Sequence, residues 1–174
     1  HLDTPPHNER GWWQKCTKEA MEQLGETEQG ILVLHHAITA FPQWPFWSAL
    51  VGIPHERREL TLEQVTAAVK DGTAAPETQH IQISDPDHPI THGLSTWSMR
   101  SETWGSLVGD RTPECHVVLS MDHPKSALKA MAWTHQFRNA RVFCLQPGHD
   151  KNSFADPNFR TVLSRGIQWV ARRL

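Results

Sequence analysis

Two short apolar runs in the chain are each followed by histidine. Residues 31–34 read Ile-Leu-Val-Leu and are followed by His35-His36. Residues 142–145 read Val-Phe-Cys-Leu and lead through Gln146 to Pro147-Gly148-His149-Asp150. A short, wholly apolar run predicts a strand buried on both faces. In open α/β sheets, ligands bind beyond the carboxyl ends of the strands. If these two strands lie side by side, imidazoles gather at one mouth of the sheet.

The remaining pattern frames them. Apolar positions at helical spacing over 12–25, closed by Gly25, predict an amphipathic helix. Pro42 or Pro45 suits the first turn of a second helix that ends at Gly52. Leu60, Leu62, Val65 and Val69 suggest a short helix inside a charged excursion over 55–76. Residues 80–83, 116–121, 130–135 and 141–146 read as strands, the last two close enough for a hairpin. Residues 85–89 read as a turn, fixed by His88, with Asp85 and His92 as caps. A C-terminal helix over 157–173 begins at Pro157, with Asp156 as its N-cap and Arg172 and Arg173 at its dipole-favoured end. There is no repeat and no sign of a second domain, so residues 1–174 are expected to form one domain.

Composition narrows the partners. The 174 residues carry a net charge of −2, so no basic surplus exists to neutralise phosphates and nucleic acid is not expected as a partner. No apolar run approaches the ~20 residues that span a bilayer, so no membrane partner is expected either. A cytoplasmic location is favoured, while a start at His1 without methionine leaves export open. Three scattered cysteines, Cys16, Cys115 and Cys144, form no CxxC pair and read as free thiols. Twelve histidines and eight tryptophans against no tyrosine are unusual. Trp133 and Trp169 sit in apolar segments and read as core. For Trp44, Trp47 and Trp104 the choice between core packing and stacking on a sugar stays open.

Several blocks together resemble the ThuA-like (trehalose-utilisation) family. They are Gly30 to Ala37, Trp44-Pro45-Phe46-Trp47 with Leu50-Val51-Gly52, His88 to Leu94, and Ser101-Glu102-Thr103-Trp104. The C-terminal blocks are Ala132-Trp133-Thr134, Arg141-Val142-Phe143, Gly148-His149-Asp150 and Gly166-Ile167-Gln168-Trp169. The resemblance covers about residue 20 to the C-terminus. It implies a class I glutamine amidotransferase-like, flavodoxin-like α/β fold: a mostly parallel sheet flanked by helices. The family's opening strand and helix have no counterpart here, so a shortened or N-terminally truncated domain is expected. Its exposed sheet edge would favour a homo-oligomer. At the elbow where that superfamily carries a nucleophilic cysteine stands His35 or His36, so thiolate chemistry on glutamine is not expected.

The candidate catalytic residues are His35, Glu102 and His149. The same three could hold a divalent metal such as zinc, leaving a position for water or a sugar oxygen. Without metal they could act as an acid–base set. Alternation along an extended segment lets only one of His35 and His36 face the mouth, and His35 is preferred. His36, Trp44, Trp47, Trp104 and Gln146 are candidate substrate-binding residues. The family resemblance implies a small-molecule sugar derivative as partner. The expected activity is that of a hydrolase or lyase on a glycoside or keto-sugar. The alternative is a carbohydrate-binding or interaction module that keeps the scaffold without catalysis.

Overall fold

The two apolar runs become neighbouring strands. In the computed structural model, residues 12–41, 44–53, 76–103, 115–124, 126 and 128–174 are described. Strand β1 (Ile31–Leu34) pairs in parallel with β6 (Ala140–Leu145), Leu34 standing opposite Leu145. The other strands are β2 (Pro76–Ile83), β3 (Trp97–Glu102), β4 (His116–Met121) and β5 (Ala130–Phe137). Among the described residues they form one sheet in the order β1-β6-β5-β4-β2-β3.

The expectation of a mostly parallel sheet is corrected. Among the described residues only β1–β6 is parallel, and the other four pairings are antiparallel. The links explain this. A parallel neighbour needs a crossover of a dozen residues or more, usually helical. Here β5 turns into β6 through Arg138-Asn139 alone, with Arg138 at φ 52°. The connection from β2 to β3 is the turn-rich segment 84–96.

Helices cover both faces. Among the described residues they are α1 (Trp12–Glu22), α2 (Pro45–Val51), α3 (Lys151–Ala155) and α4 (Pro157–Val170). Pro45 takes the first helical position of α2, and Gly52 closes it. Along β6 the buried side chains divide by alternation. Val142 and Cys144 join Val33, Trp47, Leu50 and Trp133 in a core under α2. Phe143 and Leu145 join Ile81, Met131, Phe159 and Val162 under α4. This two-sided burial is why β6 reads as an unbroken apolar run, whereas in β1, at the end of the described sheet, Val33 is buried and its neighbours are half-buried against both cores. Asp156 caps α4 as expected, accepting the Phe159 N–H at 2.8 Å. The short helix suggested near Leu60–Val69 lies outside the described residues, as do Cys16's side chain and Pro42.

Helix α4 approaches β6 closely at Gly166. A Cβ there would stand 2.1 and 2.2 Å from ring carbons of Phe143, which is fully buried. Gly166→Ala gains about 1 kcal/mol of helix propensity. Overpacking a closed core costs about 1–3 kcal/mol or more, and a contact this short belongs at or beyond the top of that range. The expected net loss of about 2 kcal/mol is read as a fall of roughly 4–8 °C in melting temperature.

Candidate metal centre

The parallel pairing of β1 and β6 carries His35 and Gln146 side by side out of the sheet. At His35 the backbone leaves the strand abruptly. Leu34 is extended at φ −111°, but His35 turns to φ 49° and opens a 3₁₀ turn over His35–Thr39. A non-glycine residue in this left-handed region is strained by about 1–3 kcal/mol, and such strain gathers at functional sites. This corrects the expectation that only one of the two histidines faces the mouth. Strand alternation ends at Leu34, so the rings of His35 and His36 lie on the same side, their centroids 4.1 Å apart. Trp47 steadies the turn by donating its indole N–H to the Ala37 carbonyl at 2.9 Å.

On the other strand, Pro147 has no N–H to continue the ladder. Gly148 follows at φ 134°, a conformation that suits glycine alone, and passes close to Leu34 and His35. His149 is thereby folded back toward His35, with ring centroids 5.5 Å apart. Asp150 does not orient His149. It caps α3, accepting the N–H groups of Asn152 (2.9 Å) and Ser153 (3.2 Å).

Glu102 comes from the end of β3. Buried Gln79 fixes its backbone, donating to the Glu102 carbonyl at 2.8 Å and to the Thr103 hydroxyl at 3.2 Å. The Ser153 hydroxyl donates to that of Ser101 at 3.4 Å, tying α3 to the same strand. The carboxylate is nearly buried, and one oxygen, Oε2, meets three imidazoles. It lies 2.7 Å from His36 Nε2, 3.2 Å from His35 Nε2 and 3.2 Å from His149 Nδ1. One ligand atom from each of the four residues lies within 4.8 Å of all the others.

The tautomer of His35 follows from its second contact. Nδ1 lies 2.8 Å from the Gln146 carbonyl oxygen, which can only accept, so Nδ1 carries a proton. In a neutral ring, Nε2 then turns a lone pair toward a carboxylate oxygen. A proton or a cation between the two removes that repulsion. A ring whose Nδ1–H is held by a backbone carbonyl, with Nε2 turned toward the other candidate ligands, has the second-shell contact usual for a metal-bound histidine.

Burial acts to raise the Glu102 carboxyl above its ordinary value of 4.5. The hydrogen bonds and charges of His35 and His36 outweigh it and hold the group down at about 2. The sign of the consequence is fixed. A carboxyl depressed in the folded state adds stability that is complete above the ordinary value and fades as pH falls from about 4.5 toward 2. Thermal melts in the presence of chelator should show wild type and Glu102→Gln converging as pH falls over that interval.

The other candidates are placed as follows. Trp44 and Trp47 are both buried, 6% and 8% exposed, within the core under α2. Residues 44 and 47 pack with Phe41 and Phe46, which leaves neither ring an open face for a sugar. Trp104 lies outside the described residues. Gln146 is buried at the tip of β6, and neither atom of its side-chain amide meets a protein partner among the described residues. The sequence reading missed a further pair at this rim. Glu77 stands opposite Ser101 in the β2–β3 register, one residue from Glu102, and its carboxylate lies 3.1 Å from His123 Nε2. Its sequence trace is faint: a lone glutamate and a histidine 46 positions later. Cys144 is fully buried, and burial pushes its thiol up, which makes it a packing residue rather than a nucleophile.

The structure is similar to a ThuA-like protein from Parabacteroides merdae ATCC 43184 (TM-score 0.68, 19% identity, 95% of this chain and 68% of that one). It is also similar to a ThuA-like protein from Bacteroides uniformis ATCC 8492 (TM-score 0.62, 18% identity, 97% and 66%). At these identities the likeness is one of fold, and the chain spans about two thirds of the length of either neighbour. No curated protein matches the chain. The family model described as "Trehalose utilisation" matches residues 6–170, and the chain therefore belongs to the ThuA family.

Proposed function

We propose that the chain is a metal-assisted enzyme, a hydrolase or lyase, acting on a glycoside or keto-sugar derivative. The observation that carries this reading is the convergence of three imidazoles on one carboxylate oxygen at the sheet mouth. Membership of the trehalose-utilisation family supports a role in sugar metabolism.

Within the cluster the roles divide by burial and tautomer. His35, Glu102 and His149 would hold a divalent cation such as zinc, a set of two imidazoles and a carboxylate that leaves room for substrate or water. A cation so held polarises a carbonyl and acidifies a bound hydroxyl. His36 is the most exposed of the four, its side chain 53% accessible. With its Nε2 proton donated to Glu102, the basic lone pair of its ring lies on Nδ1. Facing a 3-keto-glycoside, His36 takes the proton from C2. The C2–H electron pair forms the C1–C2 double bond as the C1–O bond breaks. The departing oxygen receives a proton, returned by the His36 imidazolium directly or through water, and leaves as an alcohol, and addition of water to the enone would complete net hydrolysis. A substrate hydroxyl at the tip of β6 would satisfy the buried amide of Gln146.

The test is a mass-spectrometric screen of oxidised and unoxidised disaccharides with added divalent metals. Turnover of a keto-disaccharide, lost on chelation, is expected. Absence of turnover across both sets with metal bound would overturn the sugar reading.

A further inference from the structure

At the far end of β6 from the histidine cluster, a shallow groove of ≈ 320 Å³ opens between the sheet and the last turn of α4. Its walls include His88, His116, Thr134, Arg141 and Trp169. The parts that build it are firmly anchored. Asp85 Oδ1 accepts the N–H groups of Asp87 and His88 at 3.0 and 3.2 Å, and the Thr91 hydroxyl closes the same turn on the Asp85 carbonyl. Arg165 on α4 donates to the carbonyls of Ile90 (3.3 Å) and His92 (2.7 Å), which clamps the turn to the helix. His88 is thereby set 5.5 Å from the Trp169 ring and 5.6 Å from that of His116, centroid to centroid.

The groove is rich in donors. Arg141 Nη1 gives one N–H to the Trp169 carbonyl at 3.0 Å, and its guanidinium stands 4.9 Å over the Trp169 ring. A guanidinium carries five N–H groups in a rigid fork, so this contact fixes its plane while spending one donor. His88 Nδ1 accepts the Ile90 N–H at 3.2 Å, which places the proton of the neutral ring on Nε2 as a further donor. Burial depresses the basicity of His88, so the neutral form prevails at pH 7. The nearby acid does not oppose an anion strongly, because Asp85 Oδ2 is paired with His116 Nε2 at 2.8 Å and Oδ1 is taken by the turn.

We propose that this groove is a second binding site, one that takes the oxyanion of a small carboxylate or phosphate on Arg141 and His88. The guanidinium fork matches two oxygens of either group. The apolar face that Trp169 and the imidazole rings give the groove would exclude water from one side of the ligand. The site is separate from the metal centre and does not depend on its chemistry.

The experiment is an NMR titration of the whole chain, following the Arg141 Nε–H and Trp169 indole N–H signals. Inorganic phosphate, acetate and glucose are added separately, with sodium chloride at matched ionic strength as control. A saturable shift of both signals with phosphate or acetate, absent with chloride and glucose, is expected, and the tighter arm identifies the source of the oxyanion. Arg141→Gln should weaken binding at least tenfold. Arg141→Lys, which keeps the charge without the fork, should fall between. His88→Asn, which leaves the guanidinium in place, should weaken it several-fold. A flat titration with both anions, an equal response to chloride, or unchanged binding in Arg141→Gln and His88→Asn would show that Arg141 is only a clamp between β6 and α4.

Discussion

Glu102→Gln is expected to lower divalent-metal affinity by at least 100-fold while leaving the fold in place. The carboxylate supplies the only anionic atom in the cluster, and that atom lies within 3.2 Å of all three imidazoles. Loss of a metal ligand should exceed the roughly 10–100-fold that second-shell partners carry. The substitution keeps the side-chain shape, and the bonds from Gln79 go to the backbone carbonyl of residue 102 and to Thr103, which it does not touch. Competition against a chromophoric chelator measures the affinity, and circular dichroism checks the fold. Two companion variants separate the proposed roles. His149→Ala should lose metal. His36→Ala should keep it and lose turnover, because the proposal assigns that ring to proton transfer.

Trp133→Ala should carry the largest cost in stability, about 3–5 kcal/mol. The residue is fully buried at the middle of β5, between Val117 of β4 and Cys144 of β6. Its indole N–H donates to the Val51 carbonyl at 2.9 Å, at the end of α2. The substitution empties the centre of one core and removes one anchor of α2, whose Trp47 in turn steadies the turn that bears His35 and His36. A fall in melting temperature on the order of 10 °C is expected. Trp133→Phe, which retains most of the volume and loses the hydrogen bond, should cost about 1–2 kcal/mol. A melting temperature for Trp133→Ala within 2 °C of wild type would contradict the assignment of this core.

The parts of the fold legible in the sequence are those where local composition and tertiary burial agree. The runs 31–34 and 142–145 are apolar throughout because each strand packs against both cores, and their parallel pairing brought His35 and His149 together as the pattern suggested. Asp156-Pro157 announced the start of α4 through capping chemistry, and the apolar face of Phe159, Val162, Leu163, Ile167 and Val170 announced its body. Strand β3 was not legible. Its inward positions are Trp97, Met99 and Ser101, and the serine, buried beside Ser153, hides the alternation. Strand direction was hidden too. It depends on the links between strands, and family resemblance supplied a parallel sheet where short turns dictate an antiparallel one. The convergence of His36 depended on a positive φ at His35, a conformation that no side-chain pattern encodes. Trp44 and Trp47 were ambiguous because a ring that fills a core and one that stacks on a sugar have the same spacing on a helix.

We propose that imidazoles and a carboxylate from separate strands hold one metal ion. X-ray absorption at the zinc edge, on protein loaded with zinc and dialysed, tests it most directly. One retained zinc per chain is expected, with imidazole scattering from two histidines and oxygen in the remaining shell. A shell without imidazole, or protein that retains no zinc, would contradict it.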